Sequence, residues 1–332
     1  MSKPGSPAVT VVTRTKDRPL FLERALGSIL GQTFRDFELV VVNDGGEPGP
    51  VDKLVAARAD DRVRVLHNAR ATGMVAASNR AVDESRSPLI AVHDDDDTWH
   101  PSFLEQTTRH LEETGAMGVI ATTDRVEEEV GPHGITPLAR TRLFPGLRFV
   151  NLYQMCFENY ATPIAFLYRR AALQAVGPYD ERFGGAADWE FALRFLRQFE
   201  IEFLATEDAL AFYHHRPAAQ GVDVNSVYTD VHREAENRVA NETLRADLAA
   251  GSLGLGFVVN ALRYGYAQDE ELFERHKQAT DDRIEYLAAC IAKVDQRVEA
   301  LQQAVTPAER LKSDLAFVRT LPQRLARRLR AG

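Results

Sequence analysis

The chain has 332 residues, 45% of them hydrophobic and 27% charged, which fits a folded globular protein and argues against a disordered one. A formal net charge of −8 excludes nucleic-acid binding through bulk electrostatics. Two cysteines, Cys156 and Cys290, stand far apart and fit no metal-ligand spacing, so both are expected as reduced thiols.

The opening MSKPGSPAVTVV lacks the apolar stretch of a secretion signal, and no run reaches the ~18 apolar residues that span a bilayer. A cytoplasmic protein is expected, with membrane contact from the surface alone. Val9 to Thr13 reads as a strand, and Pro19 to Gln32 follows as a helix with Leu22, Leu26, Ile29 and Leu30 at helical spacing. Phe37 to Asn43 is a second strand whose continuous apolar run implies burial on both faces. Val63 to His67, a helix over Gly73 to Ser85 and a strand over Leu89 to His93 complete the first hundred residues. Strands alternating with helices predict a mostly parallel sheet, which binds ligands at the carboxyl ends of its strands.

The pattern weakens over Arg125 to Tyr160, where no element is placed. A strand near Ile164 to Tyr168, helices near Arg169 to Val176 and Ala187 to Arg197, and strands at Ile201 to Leu204 and Ala209 to His214 follow. From residue 230 the composition turns helical, which predicts domains at 1–229 and 230–332. Ile284, Leu287, Ile291, Val294, Val298, Leu301 and Val305 make an a/d seam over 284–305, which predicts pairing with another helix, favoured as a homodimer. Pro307 interrupts it. Beyond lies a basic amphipathic tail at 308–330: Thr306 to Gly332 hold seven Lys and Arg against two Asp and Glu, a composition suited to resting on anionic lipid or packing on the catalytic domain.

The strongest chemical signal is Asp94-Asp95-Asp96-Asp97, directly after LIAVH and before Thr98-Trp99-His100-Pro101. Four adjacent carboxylates repel one another and take up protons unless a cation is near. A hard divalent cation, Mg²⁺ or Mn²⁺, bridging carboxylates and a diphosphate resolves that repulsion. The bland reading is an acidic loop favouring the N-terminus of the next helix.

LIAVHDDDDTWHP resembles the strand and acidic motif of glycosyltransferase family 2, the inverting GT-A enzymes. VVTRTKDRPLFLERALGSILGQTF, ELVVVNDGG, HNARATGMVAASNRAV and GPYDERFGGAADWEFALRFL resemble further family segments in the right order, from about Pro7 to Arg216. The resemblance implies a GT-A fold, Rossmann-like with a mostly parallel central sheet and flanking helices, followed by an all-helical extension. It implies transfer of a sugar, with inversion, from a nucleoside-diphosphate donor, UDP-linked by resemblance, to a saccharide or glycolipid hydroxyl, as in bacterial polysaccharide synthesis. By resemblance, Thr13 and Arg14 line the nucleotide pocket, Asp44 accepts from the base, and Arg70 or Gly73 lies along the nucleotide. Asn79 fixes that loop, Asp95 or Asp94 holds the ribose, and Asp96 ligates the metal with His215, or His214 in its place. Asp188 is the implied general base, with Glu190 as its rival.

For Asp44 the alternative is a turn residue before Gly45-Gly46; for Asp188 it is a helix cap. Trp99 and Trp189 suit either a sugar platform or core packing. Two other functions compete. Asp94, Asp96 and Thr98 satisfy the D-x-D-x-T of haloacid-dehalogenase-type phosphatases, with Asp281-Asp282 as the later acidic pair. A non-catalytic nucleotide-binding assembly module is the third reading.

Overall fold

The computed structural model describes residues 6–132, 134–217, 219, 221–225, 230–251, 254–304 and 311–320. A seven-stranded sheet forms the centre, in the order β10-β6-β9-β4-β1-β2-β3. Its strands are β1 (Val9–Thr15), β2 (Phe37–Asp44), β3 (Val63–Asn68), β4 (Leu89–Val92), β6 (Gly118–Ala121), β9 (Phe166–Arg169) and β10 (Ile201–Leu204). β1 pairs in parallel with β2 and β4, β2 with β3, and β6 with β10. β9 runs antiparallel to both neighbours, β4 and β6.

The apolar run of β2 is buried as its composition requires, with Leu39 to Val42 at 0% exposure. Helix α1 (Pro19–Leu30) starts on proline, whose fixed φ suits a first turn, and turns Phe21, Leu22, Ala25, Leu26 and Ile29 inward. α3 (Met74–Asp83) follows β3 and α4 (Phe103–Thr114) follows the acidic segment. An element with no sequence signal, α2 (Pro48–Arg58), connects β2 to β3; Val51 is its one buried residue among the described ones. Its Pro-Gly-Pro opening reads as a turn, and its thin apolar face leaves little periodicity.

The segment without placed elements holds a hairpin, β7 (Thr123–Gly131) and β8 (Gly134–Arg142), and the short helix α5 (Leu152–Phe157). These strands join β5 (Thr98–Trp99) and β11 (Ala211–His215) in a second sheet, ordered β5-β11-β7-β8. Thr122 is the corner between the sheets: Leu210 N donates to its carbonyl at 2.9 Å and its own N donates to Leu204 O at 3.1 Å. α6 (Arg170–Val176) and α7 (Ala187–Leu196) pack under the first sheet.

Two long helices follow, α8 (Asp230–Ala249) and α9 (Leu255–Ala304). The chain divides into compact units at Tyr264/Gly265, later than the boundary of 229/230 expected from composition. The reason is burial. Ala235, Val239 and Ala240 of α8, with Val259, belong to the same hydrophobic core as the sheets. In the second unit the seam positions Ile284, Leu287, Ile291 and Val294 are exposed; Val305 and the side chain of Leu301 lie outside the described residues. Of the basic tail, residues 311–320 are described and helical, and the rest lies outside the described residues. Among the described residues no helix is long and apolar enough to cross a membrane.

Candidate active site

β1, β2 and β4 are parallel, so their carboxyl ends open on one side of the sheet. A cleft of about 490 Å³ lies there, lined by residues that include Arg14, Asp44, Gly73, Asp94, Asp95, Asp96 and Asp188. Seven of the residues assigned from sequence therefore share one cavity.

The turn after β2 organises one wall. Asp44 Oδ1 accepts from Asn68 Nδ2 (2.6 Å), Thr72 N (2.8 Å) and Thr72 Oγ1 (2.9 Å), and Oδ2 accepts from Gly73 N (2.8 Å). Burial pushes this carboxyl up, but the four hydrogen bonds outweigh it and hold it below the usual carboxylate range. Gly45 beside it has φ +75°, and a Cβ there would lie 2.2 Å from Ala71 N, so the close approach of the two loops requires glycine. Asp44 thus does structural work whatever else it contacts.

The acidic segment forms the floor, and arginines surround it. Arg14 Nη2 lies 2.7 Å from Asp94 Oδ1. Thr15 Oγ1 donates to Asp95 Oδ2 at 2.7 Å, and Arg18 Nη1 pairs with Asp95 Oδ1 at 3.2 Å. Asp96 Oδ2 accepts from Arg18 Nη2 at 2.6 Å and from Arg216 Nη2, while its carbonyl accepts from Arg24 Nη2. Asp97 Oδ1 accepts from His214 N at 2.8 Å.

These environments split four identical side chains. Burial, then the neighbouring carboxylate Asp96, push Asp97 far up. Burial raises Asp95 to about 7 against the pull of Arg18. Burial also raises Asp94 in spite of Arg14. Asp96 is the exception: burial opposes ionisation, yet Arg18 and Arg216 together bring it down to about 2.

Behind Asp96 sits a group of charges of which the sequence singled out His214 alone. Glu128 on β7 accepts from Arg24 (2.6 and 3.1 Å) and Arg216 (2.7 Å), and pairs with His214 Nδ1 (2.6 Å). The Glu128 and Arg216 side chains are each 1% exposed. Burial pushes Glu128 up, and the bonds from His214 and Arg24 bring it down to about 2. The guanidiniums of Arg18 and Arg216 lie over the Phe21 ring at 4.7 and 4.4 Å.

Asp188 stands in the first turn of α7 and lines the cleft. Asn159 Nδ2, from the loop after α5, donates to its Oδ2 at 2.9 Å. Burial raises its pKa, outweighing the Trp189 N–H, His232 and Asn159. Glu190 is otherwise engaged: it pairs with Arg194 at 2.6 Å, and Arg194 donates onward to the carbonyls of Val176, Gly177 and Pro178. Glu190 does not line the cleft.

Several residues singled out from the sequence lie outside the cleft lining. Thr13 is wholly buried one step below the strand end, and Thr15 on the same face is the threonine that lines the cleft. Arg70 is exposed and does not line the cleft; its backbone and that of Ala71 pack on Gly45 instead. Asn79 is a brace, its Nδ2 donating to Tyr179 O at 2.8 Å. His215 is buried against the Tyr213 ring at 4.2 Å, where burial lowers its pKa to about 4, and Tyr213 lines the cleft in its place. His214 is fixed between Thr98 (2.8 Å) and Glu128. Trp99 and Trp189 are core residues, their indole N–H groups donating to Ile164 O and Met155 O at 2.6 Å. Asp281 and Asp282 are exposed on α9, which removes the acidic pair of the phosphatase reading.

The family model for "Glycosyl transferase family 2" matches residues 10–177. Among curated proteins, the uncharacterised glycosyltransferase YwdF of Bacillus subtilis is 27% identical over 197 residues, covering 58% of this chain and 70% of that protein. A PGL/p-HBAD biosynthesis glycosyltransferase of Mycobacterium bovis is 26% identical over 192 residues, covering 57% and 70%. Among solved structures, S. aureus TarS 1–349 in complex with UDP-GlcNAc superposes with a TM-score of 0.55 at 19% identity, over 71% of this chain and 66% of that one. The mannosyltransferase PcManGT of Pyrobaculum calidifontis, in complex with GDP-Man and Mn²⁺, gives a TM-score of 0.54 at 15% identity, over 99% and 85%. This chain thus spans slightly under two thirds of the TarS chain, and both structures agree with it in fold. The match covers the strands that build the cleft, and the chain belongs to glycosyl transferase family 2.

Proposed function

We propose that the cleft binds a nucleoside-diphosphate sugar, UDP-linked, and transfers its sugar with inversion to an acceptor hydroxyl deprotonated by Asp188. The observation that carries this reading is the meeting in one cavity of Asp44, the Asp94–Asp96 segment and Asp188, at the ends of parallel strands and the start of α7. The TarS and PcManGT complexes, which hold UDP-GlcNAc and GDP-Man, support a nucleotide-sugar ligand.

The residues fit a divalent cation. Among the described residues no three His, Cys, Asp or Glu side chains converge as a ready-made cage. Cleft-facing carboxylate oxygens are nonetheless the hard donors that Mg²⁺ or Mn²⁺ takes, and such ions commonly use one or two carboxylates with phosphate oxygens supplying the rest. Asp96, kept ionised by its arginines, and Asp94 or Asp95 beside it would hold the ion. When bound, it would stabilise the charge that develops on the leaving diphosphate. Asp44 keeps the loop at 68–73 in place along the nucleotide. Asp188 takes the proton from the acceptor oxygen as that oxygen attacks the anomeric carbon from the face opposite the diphosphate.

Thermal shift with UDP, GDP and their sugars tests the donor reading, because a ligand of the native state raises its melting temperature. The wild-type chain should be stabilised by UDP with Mn²⁺. Chelation, or Asp96→Asn, should remove most of that shift. A shift equally large in excess chelator would refute the metal role.

The exposed stripe on α9 supports a second part of the reading. Branched residues at the a positions, Ile284 and Ile291, with Leu287 at d, favour two-stranded pairing, here with a second copy. Sedimentation of the full chain should give a dimer and that of a chain ending at Leu272 a monomer; monomers in both would end the idea.

A further inference from the structure

α8 lies beyond the residues matched by the family model, yet it reaches the cleft. His232, in its first turn, lines the same cavity as Asp188. What brings it there is the glycine-rich turn before α7. A Cβ on Gly185 would lie 2.9 Å from His232 Nδ1, so the imidazole occupies space that no residue but glycine leaves open. Gly184, Gly185, Ala187 and Asp188 all line the cavity with it.

Further contacts hold α8 to this turn. Arg238 Nη1 donates to Arg182 O at 2.9 Å, and Arg182 Nη1 pairs with Glu242 at 2.9 Å. Arg182 also chelates Asp180 at 2.6 Å. Those pairs are on the surface and worth little individually. The apolar face of α8, through Ala235, Val239 and Ala240, supplies the firm attachment.

We propose that His232 is a positioning residue for Asp188: α8 seats the imidazole against Gly185, where it holds the carboxylate in company with Asn159. This rests on the reading of Asp188 as the base and adds a residue to it. The other charged and titratable groups facing this pair are Arg14 on β1, Tyr179 before the turn, Tyr213 on β11, and Glu236, which lies 3.6 Å from His232 Nε2. Arg14 and Glu236 act on the two groups from their own elements and are unchanged in the variants below.

The sign of the coupling is fixed. An imidazole carrying positive charge favours the carboxylate form of its neighbour, and His232 pulls the Asp188 pKa down against burial. Removing it should move the Asp188 titration up. The experiment is a carboxyl-carbon NMR titration of the full chain without ligand, with the Asp188 resonance assigned by its loss in Asp188→Asn. His232→Gln should raise the apparent pKa, because the lowering influence of the imidazole is lost. Gly185→Ala, which pushes the imidazole aside and leaves the chemistry of both side chains intact, should shift it the same way. The double variant should move no further than His232→Gln alone, since both changes remove one interaction.

The affinity for UDP with Mn²⁺ should stay within about twofold in all three, because His232 faces the base. An Asp188 titration that ignores both single variants would overturn the proposal. So would a fall in melting temperature with an unmoved titration, which marks a packing role. Failure of the base reading looks different: Asp188→Asn would keep full turnover whatever the titration does.

Discussion

Asp188→Asn is expected to lower turnover by about 100-fold or more, the usual cost of losing a general base, while the fold and the affinity for UDP with Mn²⁺ stay close to wild type. The substitution is shape-conserving. An asparagine carbonyl oxygen can still accept from Asn159 Nδ2, the 2.9 Å contact made by Asp188 Oδ2. Ala186 stands at the cap of α7 and Asp188 lies inside its first turn, so the substitution removes no side-chain cap. The proton-accepting capacity is what is lost. Glu190→Gln makes the matched control: Glu190 anchors Arg194, so its loss should lower stability by about 1 kcal/mol with turnover near normal. A pH–rate profile adds an independent check. Burial raises the Asp188 pKa, so wild-type activity should fall on acidification at a pH above that of an ordinary carboxylate. Wild-type turnover in Asp188→Asn, measured with any donor and acceptor pair that the enzyme uses, would exclude the base role.

The largest expected stability change is at Glu128. Its side chain is 1% exposed and faces Arg24, Arg216 and His214. Glu128→Ala leaves the Arg216 guanidinium buried beside Asp96 with one carboxylate where it had two. Breaking a buried pair from one side costs about 3–5 kcal/mol, because the remaining charge keeps its desolvation penalty. Urea unfolding should show a midpoint lowered accordingly. Glu128→Gln keeps the shape and loses the charge, and should fall between the two. The stabilising effect depends on pH with a definite sign. Glu128 has its folded pKa depressed to about 2, so its contribution is complete above the unfolded value of 4.5 and disappears as pH falls toward 2. A midpoint unchanged in Glu128→Ala would show that the pairs around it cancel their own desolvation and nothing more.

The sheet was legible because its strands carry strong signals. Val9 to Val12, Phe37 to Val42 and Leu89 to Val92 are apolar runs closed by turn residues, and each is a core strand. The carboxylates of the cleft were legible for the same reason: each stands within a few residues of a strand or helix end, where ligands gather. What stayed hidden is what lies across the chain. Arg216 meets Asp96 through a separation of 120 residues, and no local pattern announces that. Glu128 left a faint trace. On β7 the alternation places Val126 and Glu128 on one face, both buried, so a charged side chain occupies an inward position. Within the run Glu127-Glu128-Glu129 it reads as one more surface acid. His215 misled in the opposite way: two adjacent histidines after a strand suggest a ligand, but alternation sends one to Glu128 and the other against Tyr213. The boundary at 229/230 followed a change in composition, whereas Val239 and Val259 complete the core of the preceding sheets.

The place of β9 bears on how the protein is made. Synthesis releases strands in chain order, but the sheet does not assemble in that order. β4 emerges early and needs β9 for its second neighbour, and β6 has no neighbour until β9 is made. Translation runs at about 5–20 residues per second, so the nascent chain carries the open edge of β4 on the order of ten seconds before Arg169 is made. Through that interval the edge offers unpaired N–H and C=O groups beside fully buried-type side chains, Ile90 and Ala91. The seam that finally closes the centre of the catalytic sheet is therefore also the stretch where a stalled or crowded ribosome would leave this chain open to pairing with the wrong partner.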